Sequence, residues 1–421
     1  MDIHQPILQI ADTFSYGGTE KTMQIFCAAL VKRGATVHAA AWHSGGQRED
    51  WIRAHVPHVV SLNASSEALQ AYISEHKIRI VHVHRSSHEM RSVLHALRDV
   101  KGIVIIETNA FGKITTDPIE SIVHYRLFVS AFCANRFRTV HPEIQNQDFL
   151  RTHGVLYNPI DPADFPEYSL DHTAAYRRSL GIRPEEQIVC RVGRADNKKF
   201  GDMTVYMLPH LLRALPQVRL ILQSAPERTR RYVHSHGLTQ QVIILPETAN
   251  TEELGLLYAA SDVMVHSSLI GETFGCSMAE AMLYRLPVVV NTTPYFDNAQ
   301  IEVVDAGRTG YVVDNSKSFA QAVQILLQDS AMRARFGQAA RQKVLQQYAV
   351  DRVIEELVGM YTCAAGGKSV QSFFPQHIVD SLPEREKEIY QPKYMAALWY
   401  QYRSIAQKRY YALRERAHIS T

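Results

Sequence analysis

The chain has 421 residues, enough for two or three domains at about 150 residues each. Its 46% hydrophobic and 21% charged residues are the balance of a globular protein with a real core, and a formal net charge of +3 is too mild to argue for nucleic acid. No run approaches the roughly 18 apolar residues a spanning helix needs. The opening MDIHQPILQI carries an acid and no basic run before its apolar stretch, so it does not read as a signal peptide. The five cysteines (Cys27, Cys133, Cys190, Cys276, Cys363) form no CxxC pair. That argues against a zinc site or a disulfide framework and fits a reducing cytoplasm.

In chain order, Pro6 to Ala11 reads as a buried strand and Phe14 to Gly18 as a loop. A helix follows over Thr19 to Arg33, with Thr19 as N-cap and Gly34 just past its end. Val37–Trp42 is strand-like, Ala68–His76 helical, Ile78–His84 a strand, Ser87–Asp99 helical and Ile103–Ile106 a strand. That alternation predicts a parallel sheet covered on both faces. Asn158 to Pro166 (NPIDPADFP), with three prolines in nine residues, reads as an ordered linker. The alternation then restarts. Gln187–Val192, Val218–Gln223, Val242–Leu245, Val263–His266 and Pro287–Val290 read as strands, and Pro209–Leu215, Glu252–Ala260 and Phe274–Tyr284 as helical. Strands stop after about Phe319, Ser330–Tyr361 is helical by period, and Thr362–Val370 is a small-residue linker.

The strongest chemical signal is Gly271-Glu272-Thr273-Phe274-Gly275-Cys276-Ser277-Met278-Ala279-Glu280-Ala281. A turn leads into a helix whose first N–H groups and dipole favour a phosphate, and Gly275 permits close backbone approach. Glu280 can accept two hydrogen bonds from a vicinal diol such as a ribose, and Glu272 can do the same for sugar hydroxyls. Taken alone, the segment is also a surface helix with two solvated acids. Val192-Gly193-Arg194 follows a strand directly, with Lys198-Lys199-Phe200-Gly201 close behind. Cations on the loop after the first strand of a Rossmann-like domain sit where a diphosphate binds, Arg194 as a planar fork and Lys199 as a point charge. Gly17-Gly18 follows the first strand of the other half; glycines there allow close approach to a ligand, or simply make a turn.

Tyr157–Asp161 (YNPID), Val192–Lys199 (VGR…KK), Gly271–Met282 (GETFGCSMAEAM), Leu286–Val290 (LPVVV) and Asp305–Val313 (DAGRTGYVV) together resemble the retaining GT-B glycosyltransferases often called family 4. The resemblance runs from about residue 7 to about 361. It implies an α/β fold of two facing Rossmann-like domains with the active site in the cleft. Residues 1–160 would take the acceptor and residues 161–345 the nucleotide-sugar. Residues 346–362 would be a crossover helix returning to the first domain, and residues 371–421 a basic, aromatic helical tail. By the same resemblance Arg194 and Lys199 bind the diphosphate and Glu280 the ribose. Glu272 and the backbone of Thr273, Phe274 and Gly275 hold the transferred sugar, while Gly17 and Gly18 lie beside the diphosphate. Glu272, Arg194 and Lys199 would be the catalytic set, with a UDP- or GDP-sugar as substrate. No metal or other cofactor is implied, because the cations and the helix start take the role Mg²⁺ plays elsewhere, and no D-x-D arrangement is present.

Several positions depart from the family pattern. Where many members have a histidine, the chain reads Ile105-Ile106-Glu107-Thr108-Asn109-Ala110, which leaves Glu107, Thr108 or Asn109 as accessory groups on the acceptor side. A same-face substitution in which the leaving phosphate deprotonates the acceptor needs no enzymic base, so this departure does not imply inactivity. His82 and His84 share one face of a strand; with no third ligand, zinc is set aside. His84, at the strand's C-terminal end, is assigned either to acceptor or phosphate contact or to a plain structural role. Gln223-Ser224-Ala225-Pro226 replaces a glycine-rich turn, Pro246-Glu247 replaces a glycine, and Tyr295–Gln300 replaces a small loop at the donor-sugar pocket. In the tail, Tyr394, Trp399, Tyr400, Tyr402, Tyr410 and Tyr411 alternate with Lys and Arg. Such a helix suits either a membrane interface or packing on the first domain.

The expected activity is sugar transfer to a glycan or lipid-linked acceptor, without nucleic acid, in the cytoplasm or peripherally at the membrane's inner face. The rivals are a catalytically silent binding subunit and a nucleotide-sugar epimerase of related fold.

Overall fold

A computed structural model of the chain describes residues 5–85, 90–112, 117–140, 149, 151–197, 199–248, 250–293 and 296–370. Lys198, Tyr295 and the tail 371–421 therefore lie outside the described residues. The chain divides into two compact units: residues up to 161 together with the segment beginning at 346, and residues 162–345.

The first unit is built on a seven-stranded parallel sheet. Its strands are β1 (Ile7–Ala11), β2 (Val37–Ala41), β3 (His58–Ser61), β4 (Ile80–Arg85), β5 (Val104–Asn109), β6 (Tyr125–Phe128) and β7 (His153–Val155), in spatial order β3-β2-β1-β4-β5-β6-β7. Parallel strands need crossover connections, and among the described residues these include α1 (Gly18–Lys32), α2 (Glu49–His55), α3 (Ser66–Glu75), α4 (Arg91–Leu97) and α5 (Ala131–Val140). The direction in which the chain adds strands reverses between β1 and β4, and the crevice beyond the C-terminal ends at such a switch is where α/β sheets take ligands.

The second unit repeats the plan with six parallel strands. They are β8 (Gln187–Val192), β9 (Val218–Gln223), β10 (Val242–Leu245), β11 (Val263–His266), β12 (Val288–Asn291) and β13 (Gly310–Val313), in order β10-β9-β8-β11-β12-β13. Its helices are α6 (Leu170–Ser179), α7 (Met203–Tyr206), α8 (Leu208–Leu211), α9 (Glu227–Ser235), α10 (Thr251–Ala260), α11 (Cys276–Leu283), α12 (Gln300–Val303), α13 (Ser316–Gln328) and α14 (Ser330–Lys343). The switch point lies between β8 and β11. Phe319, Val323 and Leu326 of α13 share one core with Leu208, Leu211, Val218 and Leu220.

A last helix, α15 (Val350–Ala365), belongs to the first unit. Val353, Ile354, Leu357, Met360 and Tyr361 join Phe26, Cys27 and Leu30 of α1 in one apolar cluster on the first sheet. The stretch expected to be one helix from Ser330 to Tyr361 is broken, because Ala349 is extended (φ −59°, ψ 139°) and bridges to Ile160. The expected Thr19 cap is also corrected. Gly17 is the N-cap, extended and without a side-chain bond, and its carbonyl accepts the Lys21 N–H at 3.0 Å.

Candidate functional site

Two loops leave the ends of the strands that flank the second switch point, and backbone bonds join them. Gly201 N–H donates to the Ser267 carbonyl at 3.0 Å, Leu269 N–H donates to the Lys199 carbonyl at 3.0 Å, and Phe200 bridges to Ser268. This brings Lys199, from the loop after β8, onto Glu272, from the loop after β11. Lys199 Nζ donates to Glu272 Oε2 at 2.5 Å, and His266 Nε2 stands 3.1 Å from Glu272 Oε1. The main chain of Glu272 is held as well. Its N–H donates to Gln300 Oε1 at 2.9 Å, and its carbonyl accepts the Ala299 N–H at 2.8 Å.

Burial pushes the Glu272 carboxyl up, but the Lys199 charge and the His266 hydrogen bond outweigh it and hold the group at about 2. An ionised carboxylate only accepts, so His266 Nε2 carries the proton and donates; this tautomer is inferred from the network. Burial also pulls His266 below its ordinary value, and the nearby cations Arg191 and Lys199 add to that. His266 is therefore neutral near pH 7. It orients Glu272 without cancelling its charge.

Glu280 lies inside α11, 5% exposed, and accepts a hydrogen bond from Tyr258 Oη at 3.2 Å. Gly275 caps α11 in the left-handed region (φ 101°), which glycine adopts without steric cost. Thr273 is half-buried at this turn, whereas Phe274 is a core side chain, 1% exposed, so only its backbone is available to a ligand. Arg194 is exposed in the turn after β8.

In the first unit, Gly18 has open space where a side chain would stand. Gly17 does not, because the Glu20 carboxylate folds over it, 1.9 Å from the place of a Cβ. An acid thus already lies at the start of α1, and a diphosphate brought beside Gly17 meets a like charge.

The expectation that His84 touches acceptor or phosphate is corrected. His84 is fully buried, and its Nε2 lies 2.6 Å from Gln9 Oε1. Gln9 Nε2 donates to Tyr361 Oη at 2.7 Å, Tyr361 Oη lies 2.6 Å from His82 Nδ1, and His82 Nε2 lies 2.8 Å from Thr108 Oγ1. One proton order satisfies the whole chain: His84 to Gln9, Gln9 to Tyr361, Tyr361 to His82, His82 to Thr108. Burial lowers both histidines, His84 to about 3. They are neutral ties between the sheet and α15. Among the described residues no group of three or more His, Cys, Asp or Glu is arranged to hold a metal.

The other accessory candidates are also inside. Glu107 is 0% exposed and paired with Arg85 and Arg126, which also meet Glu120, so its charge is spent on a closed network. Thr108 and Asn109 are 2% and 1% exposed. The turn at Gln223–Pro226 shows why a glycine is favourable there: Ser224 is held at φ 66°.

Sequence reasoning missed His266, Gln300 and Arg191. The only signal in the sequence was a polar residue at a strand's end or beside an apolar run, and that spacing does not say what it touches.

Residues 173–343 match the family described as glycosyl transferases group 1. The match lies within the second unit and spans less than half of the chain. The chain is thus similar to glycosyl transferases over its second unit, and the two Rossmann-like units have the GT-B fold. Over 269 residues the chain is 23% identical to spore coat protein SA of Bacillus subtilis (strain 168), covering 60% of this chain and 68% of that protein. Over 217 residues it is 26% identical to phosphatidyl-myo-inositol mannosyltransferase of Mycobacterium leprae (strain TN), covering 50% of this chain and only 56% of that protein. Among solved structures it is similar to a glycosyltransferase from Rickettsia africae ESF-5 (TM-score 0.73, 14% identity, 86% of this chain and 99% of that one). It is also similar to Anabaena Alr3699/HepE in complex with UDP-glucose (TM-score 0.70, 17% identity, 85% of this chain and 100% of that one). At such identities the structural likeness concerns the fold.

Proposed function

We propose that the chain is a retaining, metal-independent glycosyltransferase that moves a sugar from a UDP- or GDP-sugar onto a glycan or lipid-linked acceptor. The observation that carries this reading is the Lys199–Glu272 pair, 2.5 Å long, set beside the start of α11 at the second switch point. That the Anabaena structure holds UDP-glucose favours a UDP-sugar here.

In this account Glu280 receives the ribose hydroxyls and Glu272, with the turn at 273–275, receives hydroxyls of the transferred sugar. Arg194, Lys199 and the α11 N-terminus face the diphosphate, where negative charge grows as the bond from the anomeric carbon to the phosphate oxygen breaks. The acceptor oxygen forms its bond on the same face, and its proton passes to the departing diphosphate. The first unit takes the acceptor at the ends of β1 and β4. Among the described residues no helix is long and apolar enough to cross a membrane. The proposed location is the cytoplasm, with the basic aromatic tail as a peripheral membrane contact.

The test is release of UDP or GDP from a panel of nucleotide-sugars with crude glycolipid acceptors in excess EDTA, with NMR of the product's anomeric signal. Transfer in EDTA with the donor's anomeric configuration kept is the expected result. Inversion, or transfer only after Mg²⁺ is added, contradicts the corresponding part of the proposal.

A further inference from the structure

Arg191 is the fifth residue of β8 and only 2% exposed. Its Nη2 donates to the Ser267 carbonyl at 3.3 Å, and its guanidinium carbon lies 3.4 Å from the centre of the Phe200 ring. Its Nε and Nη1 find no hydrogen-bond partner among the described residues. The two carboxylates whose fields reach it are Asp202 and Glu272, and both are committed elsewhere. Asp202 is paired with Arg228 at 2.7 Å and accepts from Thr229, while Glu272 is held by Lys199 and His266.

Lys199 pairs with Glu272 and also feels the field of Asp297, and Arg228 pairs with Asp202. That leaves Arg191, and Arg194 three residues beyond it, without a paired carboxylate among the described residues. A buried cation without a counter-ion is costly, and stacking on an aromatic face offsets only part of that cost. Burial pulls Arg191 down to about 9, which still leaves it charged near pH 7. Gly193 stands between this charge and the turn, and a Cβ on it would lie 3.4 Å from Arg191 Nη1.

We propose that Arg191 is a specificity-determining residue for diphosphate, supplying buried positive charge from beneath the Gly193–Lys199 loop through its field rather than by contact. The missing counter-ion is then the ligand: a diphosphate carries about two to three negative charges, against two guanidinium groups that no described carboxylate pairs with. The inference rests on the placement of the donor in the second unit. A purely structural arginine, bracing the two loops through Ser267 and Phe200, is the competing account, and it predicts the opposite sign for stability.

The experiment compares wild type with R191M, R191Q and R191K by calorimetric binding of UDP, inorganic pyrophosphate and uridine, and by thermal melting without ligand. The expected result is that R191M melts no lower than wild type, because an unbalanced buried charge has been removed. Its affinity for UDP and pyrophosphate should fall about 10- to 100-fold while uridine binding is unchanged, with R191K retaining an intermediate affinity. R191Q decides the matter if R191M does not fold. Wild-type pyrophosphate and UDP affinity in R191M or R191Q overturns the inference alone, as does a lower melting temperature with uridine and UDP binding lost together. Wild-type protein that binds neither UDP nor pyrophosphate overturns the donor-site reading and this inference with it.

Discussion

Lys199 Nζ and Glu272 Oε2 stand 2.5 Å apart although 73 residues separate them in the chain. The contact exists because β8 and β11 are neighbours at the switch point and the loops leaving them are bonded backbone to backbone. The fold thus sets a cation and an anion side by side, where one can turn to a diphosphate and the other to sugar hydroxyls.

Glu272→Gln keeps the size of the side chain and removes its charge. Stability should fall by roughly 1–3 kcal/mol, less than for a fully buried pair because the Lys199 side chain keeps 38% exposure. Turnover should fall about 100-fold with little change in UDP affinity, since the carboxylate is assigned to the sugar. Steady-state kinetics beside UDP calorimetry separates the two effects.

The same carboxylate gives a pH signature. Its folded value, about 2, lies below the ordinary 4.5, so the stability it contributes is fully present above pH 4.5 and is lost as pH falls towards 2. The contribution is on the order of 3 kcal/mol. Urea midpoints between pH 5 and 2.5 should fall more steeply for wild type than for Glu272→Gln; parallel curves would contradict the pairing.

If Glu280 receives the ribose as proposed, Glu280→Ala removes those hydrogen bonds and UDP affinity should fall about 10- to 100-fold or more. It also strands the buried Tyr258 hydroxyl, so stability should fall by roughly 1–3 kcal/mol. Tyr258→Phe, which leaves the carboxylate in place, should affect affinity much less. Equal losses in the two variants would mean that Glu280 acts only on Tyr258.

Tyr361→Phe should cost roughly 2–4 kcal/mol, because Gln9 Nε2 and His82 Nδ1 both lose their partner inside the first unit. UDP affinity should be unchanged. Chemical denaturation shows the first effect and calorimetry the second.

Gly271→Ala should not be tolerated. The residue sits at φ 67°, and a Cβ would lie 1.4 Å from the Asp297 carbonyl oxygen. The loop would have to leave Asp297 and Gln300, taking Glu272 with it. Lost expression, or a folded protein without turnover, is expected; an active, stable variant would contradict this packing.

The alternation of short apolar runs with helical segments made both parallel sheets legible in the sequence, because strands buried on both faces leave a strong mark. Less legible were β3 (HVVS), β6 (YRLF) and β7 (HGV), which are short and partly polar and draw their pairing from neighbours distant in the chain. Glu272, Glu280, Arg194 and Lys199 stood out because they sit in motifs next to strand ends. His266 and Gln300 did not, since their significance is a contact made across two loops. Glu107 and His84 misled for a related reason. The C-terminal end of a strand is where ligands bind, but charge closure by Arg85 and Arg126, and the bond to Gln9, turn these two side chains inward.

The central claim is that the second unit holds a nucleotide-sugar without metal. It is tested most directly by thermal melting of the wild-type protein in EDTA with UDP, GDP, ADP and CMP. A nucleotide at about 100 times its dissociation constant should stabilise the fold by roughly 2.7 kcal/mol, a visible upward shift. The account predicts that shift for UDP or GDP; no shift with any nucleotide in EDTA would contradict it.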